Sequence, residues 1–393
     1  MFSKAKPFLF SLSLLLGIYS GIIFLQYIPL LPLQRNHPLY KIFGIKKPTV
    51  VGFLPYWLLE KAQKNYTNSI TTLTYFGLTL DTDGRILQLI SPREEEPGWH
   101  TLRSENLHQR LKMAYENGLT LSLLVHNSDE ASISALLDNP VENAQHLISD
   151  LAPIMQKYKF TDLNLDIESF VESSPSAQQA FTQFVAEVKL GMLAQKLGSL
   201  TVEISPTALV KNFLINPTEI GKIADYVVLM AYDYHYSGSY NSGPVAPLGG
   251  VPQTREFDVN TGLSEAVKVI PQEKIILGIP LYGYEWETLS NLPNAPAIPG
   301  SASTASNHRV EKLISDCKNC QINFADITKS PRILFPDESG TFFHQIYYEN
   351  ETSFQQKLQL AQTHNISGVA LWALGYEGEK NLEALIDYKQ ATL

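Results

Sequence analysis

Short apolar runs alternate with segments of helical spacing along most of this chain. Polar or turn-forming residues bound each run, and the run lengths suit buried strands better than helices. The runs predict eight strands, at Thr49–Trp57, Ile70–Leu80, Leu119–Val125, Lys159–Glu168, Leu200–Ser205, Asp225–Tyr232, Ile275–Tyr282 and Ser367–Trp372. Helical patterns lie between most of them, for example at 105–117, 141–159 and 176–197. This order predicts an α/β fold with a parallel sheet covered by helices.

The number of strand–helix units predicts the architecture. Eight units are the number in a (β/α)8 TIM barrel, whose functional residues gather at the carboxyl ends of the strands. Polar and aromatic residues follow this rule here, and at or just past a predicted strand end lie Tyr56, Trp57, His126, Glu168, Tyr232, Asp233, Tyr282, Trp286 and Trp372. Each aromatic residue alone is well explained as a core or rim residue, whereas their shared location favours a site.

The fourth predicted strand carries the strongest chemical signal. In Leu163–Glu168 every second side chain is polar, so Asn164, Asp166 and Glu168 share one face. An alternation of this kind by itself also fits a solvated strand face. On an enclosed face, however, two carboxylates two residues apart do not both ionise cheaply, and one keeps its proton toward neutral pH. A carboxylic acid held in that state is suited to cleaving a glycosidic bond.

The interval 289–345 lacks the strand–helix rhythm and begins with a stretch rich in Pro, Ala and Ser. It predicts an insertion between the seventh and eighth strands, either a wall of a substrate groove or a loose surface excursion. The two cysteines of the chain, Cys317 and Cys320, both lie in it. A lone C-x-x-C fits a local disulfide, half of a metal site or a redox pair. Without a second pair or nearby histidines, a small disulfide-closed loop or two free thiols is favoured.

The first residues have the pattern of a membrane segment. Lys4 and Lys6 precede an uncharged run over 8–25, which is long enough to cross a bilayer. We therefore predict a transmembrane anchor or signal segment at 1–28, a Pro-containing linker at 29–48, and a barrel at 49–393. The anchor would place the barrel outside the cytoplasmic membrane, and a removed signal would make the protein secreted.

Composition and charge limit the partners. The formal net charge is −9 and no basic run occurs, which argues against nucleic acid and polyanionic ligands. The chain has 19 Tyr, 18 Phe and 4 Trp, which suits a large core and also a sugar-binding cleft. No cluster of ligand residues and no phosphate-binding Gly loop occurs, so we expect no metal and no organic cofactor. The oligomeric state is left open.

Four stretches resemble motifs of glycoside hydrolase family 18, the chitinase and N-acetylglucosaminidase family. They resemble its D-x-x-D-x-D-x-E signature, its M-x-Y-D, its seventh-strand motif and its eighth-strand tryptophan, at Asp162–Glu168, Met230–Asp233, Leu277–Trp286 and Gly368–Trp372. Thr161 and Asn164 stand where the signature has its first two aspartates. Family members acting on peptidoglycan or chitobiose are similar in having an N-x-D-x-E form. The stretch Tyr234–Gly238 leading to Gly243–Pro247 resembles bacterial members with cell-wall-type roles more than classical chitinases.

The resemblance also implies roles for individual residues. Glu168 would protonate the leaving glycosidic oxygen, Asp166 would stabilise the developing positive charge, and Tyr232 would donate its hydroxyl to the substrate's acetamido carbonyl. These three are the implied catalytic residues. Residues implied to bind substrate are Asn164, Met230, Asp233, Trp372, Tyr56 and Tyr282. Because the amide at Asn164 does not take up a charge, Asp166 is expected to titrate more simply than beside an inner aspartate.

The implied substrate is a β-1,4-linked N-acetylglucosamine glycan, cleaved with retention by attack of the substrate's own acetamido oxygen. Peptidoglycan is favoured because a membrane anchor places the enzyme beside a wall. Chitin or a chitooligosaccharide is the alternative. A non-catalytic carbohydrate-binding protein on the same fold is a further alternative, which the presence of Asp166, Glu168 and Tyr232 argues against.

Overall fold

Parallel strands close into an eight-stranded barrel in the computed structural model, which describes residues 47–250 and 257–391. Strands are numbered in chain order: β1 (Thr49–Pro55), β2 (Thr72–Thr79), β3 (Leu89–Ser91), β4 (Glu94–Glu95), β5 (Thr120–Asn127), β6 (Asp162–Ile167), β7 (Ser199–Ile204), β8 (Tyr226–Leu229), β9 (Ile275–Pro280), β10 (Tyr282–Thr288), β11 (Ser303–Ser306), β12 (Gln321–Ala325), β13 (Ser330–Pro336), β14 (Phe343–Tyr347) and β15 (Gly368–Trp372).

Helices surround these strands and are also numbered in chain order. They are α1 (Pro97–Leu102), α2 (Glu105–Glu116), α3 (Glu130–Leu136), α4 (Pro140–Tyr158), α5 (Pro175–Ala194), α6 (Pro217–Ile223), α7 (Val259–Val269), α8 (Asn307–Asp316), α9 (Glu351–Thr363) and α10 (Glu379–Gln390). Short 3-10 turns occur at Tyr56–Leu58, Pro206–Leu209 and Gln272–Lys274.

The barrel confirms the predicted fold class. Its strands follow the order β1-β15-β9-β8-β7-β6-β5-β2, and β2 and β1 pair to close it, with every neighbouring pair parallel. Strand β8 is shorter than predicted and ends at Leu229 rather than Tyr232. The chain leaves the sheet at that point, so Met230 and the residues after it belong to the rim.

Alternation along β6 separates two environments. Leu163, Leu165 and Ile167 point outward into the main core between barrel and helices, where each is fully buried. Asn164 and Asp166 therefore point into the barrel interior. The apolar residues of that interior form a separate small cluster, made of Val51, Phe53, Phe76, Leu124, Val228, Ile276 and Ala370.

Two long helices hold β6 in place. Helix α4 precedes the strand and buries Leu147, Leu151 and Met155, which recur every fourth residue on one face. It ends at Tyr158, and the next residue, Lys159, adopts the left-handed conformation typical of a helix C-terminus. Helix α5 follows the strand, and the residue before it, Ser174, caps it by accepting a hydrogen bond from the Ala177 amide. The two helices pack on each other, which fixes the direction in which β6 points.

A second sheet is built between β9 and β15. It has five antiparallel strands in the order β11-β10-β14-β13-β12, and Ala305, Val310, Ile333 and Ile346 are fully buried in its own small core. Strand β10 starts two residues after β9 ends, within the apolar run that predicts a single seventh strand.

The C-x-x-C pair lies in this region, after helix α8. Cys317 and Cys320 form a disulfide, which is one of the alternatives that the sequence leaves open. The loop that it closes is short, and it precedes the exposed strand β12.

The predicted membrane segment at 1–28 lies outside the described residues, as does nearly all of the predicted linker. Within 47–250 and 257–391, no helix combines the length and apolar character required to span a membrane. The chain divides into two units. Thr49–Lys389 is the unit described above, and of the other, Met1–Pro48 with Gln390–Leu393, the structure describes only residues 47, 48, 390 and 391.

Candidate active site

Strand β6 carries a row of polar side chains from the bottom of the barrel to its mouth. Asp162, Asn164 and Asp166 are buried, and Glu168 follows the strand in a half-buried position. The row thus runs along one face, as the sequence predicts. Its last member lies at the carboxyl end of the strand, where barrel enzymes place their chemistry.

The deepest acid of the row, Asp162, is held by hydroxyl groups of two neighbouring strands. Ser122 and Ser199 each donate a hydrogen bond of 2.6 Å to its carboxyl, and Thr201 donates one of 3.0 Å. Burial raises the pKa of Asp162 to about 6 although these three hydrogen bonds lower it. Asp162 is therefore a structural acid far from the mouth.

Asp166 and Glu168 form a coupled pair of acids. Burial raises the pKa of Asp166 well above its usual value, and the charge of Glu168 raises it further. Burial also raises the pKa of Glu168, with a second contribution from the charge of Asp233. Like charges in a poorly solvated site disfavour each other's ionisation. The pair therefore retains a proton at a higher pH than two isolated carboxyls.

Tyr232 and Asp233 reach the same mouth from the end of β8. Oδ1 of Asp233 accepts hydrogen bonds from the phenol of Tyr282 at 2.6 Å and from that of Tyr284 at 3.2 Å. Asp233 has a φ of 57°, which turns the chain away from the strand direction. Burial raises the pKa of Asp233, and the two tyrosine hydroxyls oppose this by lowering it.

A glycine on β9 makes room for the Tyr232 ring. A Cβ atom at Gly278 would lie 2.9 Å from Cε1 of Tyr232 and 2.8 Å from the Leu229 carbonyl oxygen. Burial raises the pKa of the Tyr232 phenol well above its usual value, and four nearby carboxyls add to this effect. The hydroxyl is therefore a hydrogen-bond donor at all physiological pH values.

A cleft of about 520 Å³ opens over these residues. Of the predicted site residues, Glu168, Met230, Tyr232 and Asp233 line it. The wall also contains residues that the sequence analysis did not single out, namely Phe170, Ser205, Pro206, Thr207, Phe213, Tyr234 and Phe257. The cleft thus offers two carboxyl groups, two phenols and several apolar surfaces, a combination suited to a sugar.

Three predicted substrate-binding aromatic residues lie elsewhere around the mouth. Trp372 ends β15, and its ring contacts Phe76 at 4.9 Å and Phe53 at 5.7 Å between centroids. Tyr56 follows β1 and packs edge-on against another aromatic ring of the rim. Tyr282 is buried and acts on the cleft through its hydrogen bond to Asp233.

His126 also lies at the barrel mouth, at the end of β5 in register with Asp166. Its ring stacks on Phe76 with centroids 4.9 Å apart, and a ring nitrogen lies 3.3 Å from the Thr79 hydroxyl. Burial lowers the pKa of His126 to about 4. The imidazole is therefore neutral near neutral pH and adds no positive charge to the site.

A third inner carboxyl, Glu203 on β7, is absent from the sequence-based site. It is buried, neither of its oxygens makes a hydrogen bond of good geometry with the described residues, and the nearby side chain of Asn164 lowers its pKa as a donor. Burial raises its pKa well above the usual value, and the charges of Asp166, Glu168 and Asp162 add to this. The expectation that Asp166 titrates simply is wrong, because Glu168 raises the pKa of Asp166 and Asp166 in turn raises that of Glu203. The signal was the alternation of Thr201, Glu203 and Ser205 in LTVEIS.

The acids at the mouth do not form a metal site of a recognisable kind. Over 47–250 and 257–391, no group of three or more His, Cys, Asp or Glu side chains is arranged to hold a metal ion.

Comparison with known families agrees with this geometry. The family described as Glycosyl hydrolases family 18 matches residues 50–377, which includes every barrel strand from β2 to β15 and nearly all of β1. The chain belongs to glycoside hydrolase family 18, and it is a glycoside hydrolase.

Individual relatives are distant but cover most of the chain. The cortical fragment-lytic enzyme of Bacillus anthracis is 24% identical over 342 residues, which are 84% of this chain and 70% of that protein. The spore cortex-lytic enzyme SleL of Bacillus megaterium QM B1551 is similar in structure, with a TM-score of 0.69 at 22% identity, covering 88% of this chain and 74% of that one. A group IV chitinase of Ostrinia furnacalis gives a TM-score of 0.74 at 19% identity, covering 87% and 99%.

Proposed function

We propose that this glycoside hydrolase cleaves β-1,4-linked N-acetylglucosamine glycans, with peptidoglycan as its substrate and Glu168 as its general acid and base. The observation that carries the proposal is the position of Glu168. It lines a cleft together with Tyr232 and Asp233, and it follows buried Asp166 on the same strand. Burial and the neighbouring Asp233 charge raise its pKa, which favours the protonated form that a leaving group requires.

The proposed reaction has two steps. In the first, Glu168 gives its proton to the glycosidic oxygen while the 2-acetamido oxygen of the substrate attacks the anomeric carbon. The C–O bond to the leaving sugar breaks, and a positively charged oxazolinium ion forms. In the second, Glu168 takes a proton from a water molecule that attacks the same carbon and reopens the ring. Two displacements at one carbon give retention of configuration.

The other residues would act on charge and orientation. Asp166 would accept a hydrogen bond from the acetamido N–H and stabilise the positive charge that develops on this group. The phenol of Tyr232, which burial keeps protonated, would donate to the acetamido oxygen. Trp372 would form an apolar surface beneath the distorted sugar ring. Met230 and Asp233 line the same cleft as Glu168 and would contact the substrate.

The choice of peptidoglycan rests on the relatives. Those named cortical fragment-lytic enzymes favour a bacterial wall glycan. The N-x-D-x-E form of the β6 motif is compatible with this substrate and also with chitobiose. Chitin is the second candidate, since the chitinase of Ostrinia furnacalis has a closely similar fold.

The decisive experiment measures the release of reducing ends from purified sacculi and from chitooligosaccharides. Wild-type protein is compared with Glu168→Gln, which keeps the side-chain shape but has no acidic proton. We expect the variant to lose at least about 10²-fold in kcat, the usual contribution of a general acid, while it still binds the glycan. Glu172→Gln, at an exposed position four residues further on, is the matched control.

The products separate the alternatives. Mass analysis of the released muropeptides identifies the sugar at their reducing end. N-acetylglucosamine at that end supports the proposal, whereas N-acetylmuramic acid contradicts it. Turnover of chitooligosaccharides alone would favour the chitinase alternative. Binding of glycan without turnover by the wild-type protein would identify a carbohydrate-binding protein that has lost activity.

An extracytoplasmic location goes together with this substrate. The apolar run over 8–25 predicts a membrane anchor, and residues 1–28 lie outside the described part of the chain. We propose that the barrel is held at the outer side of the cytoplasmic membrane. Fractionation of cells that express the full chain tests this, since recovery of the protein in the cytoplasm would contradict it.

A further inference from the structure

Glu203 lies beside Asp166 on the neighbouring barrel strand. The register of β6 and β7 pairs Asn164 with Thr201 and Leu165 with Val202. The next position along each strand is Asp166 on β6 and Glu203 on β7, and both side chains point inward. Both are buried, with 6% and 3% of their surface exposed. Two carboxyls thus face the same interior at the same height, directly below the cleft.

Hydrogen bonding in this interior is incomplete if every acid is ionised. Oε1 and Oε2 of Glu203, Oδ1 of Asp166 and Oδ1 of Asn164 are buried and make no hydrogen bond of good geometry with the described residues. The side chain of Asn164 nevertheless lies close enough to Glu203 to lower its pKa as a hydrogen-bond donor. Buried polar atoms are nearly always paired, and carboxylates have no donor of their own. A proton on one carboxyl changes this count, because it adds a donor and removes an acceptor.

The charges around Glu203 identify which carboxyl holds the proton. Asp162, Asp166 and Glu168 on β6 all raise its pKa. From the other elements, neutral His126 on β5, Tyr226 on β8, and Tyr232 and Asp233 after β8 face the same interior or its mouth. None of these groups is a cation that would stabilise a carboxylate. Glu203, which has the most negative neighbours and the most complete burial, is the last of these acids to lose its proton.

We propose that Glu203 is a positioning residue that carries a proton at neutral pH and donates it in a hydrogen bond to Asp166. Glu203 on β7 thus supplies the inner carboxyl that β6, which has an amide at Asn164, does not. This inference rests on the proposed function, since it assigns Asp166 a charge that the reaction uses. The neutral Glu203 stabilises the ionised form of Asp166. Asp166 is then negative when positive charge develops on the substrate.

The proton itself is tested without any substrate. The infrared spectrum of the wild-type protein at pH 7 minus that of Glu203→Gln is expected to contain a protonated-carboxyl C=O band. This band should shift when H2O is replaced by D2O. The exposed control Glu172→Gln should keep the band. A wild-type spectrum from which Glu203→Gln removes no protonated-carboxyl band would overturn the proposal.

The pH dependence of kcat/KM tests the role toward Asp166. In Glu203→Met the donor is gone, so the pKa of Asp166 rises and the acid limb should move to higher pH by about one unit or more. Glu203→Gln keeps a donor, so its acid limb should stay near that of the wild type while kcat falls by less than about tenfold. An acid limb that moves to lower pH in Glu203→Gln would show that Glu203 is ionised in the working enzyme.

A double variant tests whether an inner carboxyl on β6 can replace the one that Glu203 supplies from β7. Asn164→Asp in the Glu203→Met background returns an acid to the interior from β6 and should move the acid limb back toward the wild-type position. Thr74→Val removes another buried, unpartnered oxygen of the interior and serves as the control that shifts no limb. Unchanged profiles in both Glu203→Met and Glu203→Gln would mean that the residue only fills space.

The two proposals fail in different ways. A protein that cleaves N-acetylglucosamine glycans but has no protonated Glu203 refutes the inference and keeps the function. A protein with the infrared band that cleaves none of the glycans refutes the proposed function and the positioning role, and leaves only the proton on Glu203.

Discussion

The phenol of Tyr282 donates a 2.6 Å hydrogen bond to Oδ1 of Asp233, so the first residue of the inserted sheet is bonded to an acid of the cleft. Tyr284, two residues further on, donates to the same oxygen at 3.2 Å. Both bonds favour the charged form of Asp233, and that charge raises the pKa of Glu168. The inserted sheet therefore influences the proton on the proposed general acid without reaching it.

Tyr282→Phe should shift the basic limb of the kcat/KM profile to lower pH. Loss of one hydrogen bond raises the pKa of Asp233, so this residue carries less negative charge at a given pH, and the pKa of Glu168 falls. We expect a shift of less than about one unit, because a single hydrogen bond contributes about 1 kcal/mol. Tyr284→Phe, which removes the longer bond, is the control and should shift the limb less. A shift to higher pH would contradict this coupling.

Asp166→Asn should lower kcat severely while leaving KM within a few fold. The amide keeps the shape of the side chain but provides no negative charge for the developing cation. Loss of a preorganised electrostatic group in an active site costs about 10²–10³-fold in kcat. Steady-state kinetics on a soluble GlcNAc oligomer measures this. A variant with wild-type kcat and a raised KM would assign Asp166 to ground-state binding instead.

Asp162→Asn should flatten the pH dependence of stability between about pH 4 and pH 6. The pKa of Asp162 is about 6 in the folded protein against 3.8 when unperturbed, so the folded state binds the proton more tightly. Its contribution is fully present below pH 4 and is lost as the pH rises through 6. The loss is about 3 kcal/mol, since one pKa unit corresponds to about 1.4 kcal/mol. Urea unfolding of both proteins across this range measures it, and equal slopes would contradict the assignment.

Lys357→Met should destabilise the fold by about 3–5 kcal/mol. Lys357 on α9 and Glu349, which follows β14, form a 2.8 Å ion pair in which neither side chain is exposed. Removing the lysine leaves a buried carboxylate without its cation, which is the costly way to break such a pair. Denaturant unfolding measures the loss. The double variant Lys357→Met/Glu349→Gln should recover much of it, and a single variant as stable as the wild type would show that the pair contributes little.

The barrel and the β6 row could be predicted because local pattern determines both. Eight apolar runs separated by helical spacing allow few arrangements, and alternation assigned Asp166 and Glu168 to one face before any contact was known. The structure adds the depth at which each side chain of the row lies. Glu168 reaches an open cleft, whereas Asn164 and Asp166 stay inside the barrel.

Two features could not be derived because they depend on contacts between distant strands. Glu203 is a single acid in an ordinary strand pattern, and only the closure of the barrel shows that it faces Asp166 rather than water. The break at Leu281 is hidden because the run from Ile275 to Trp286 is apolar on both sides of it. A strand leaving one sheet and a strand entering another are equally apolar, so composition does not separate β9 from β10.

Strand β10, where the chain leaves the barrel, pairs directly with β14, where it returns, and Tyr284 lies opposite Tyr347. The two ends of the excursion are therefore neighbours, and its length adds little to the entropic cost of bringing β15 beside β9. Segments between those paired ends can lengthen, shorten or be exchanged while the strands around the acids keep their places. The molecule thus has a region whose size and sequence can vary independently of its catalytic strands.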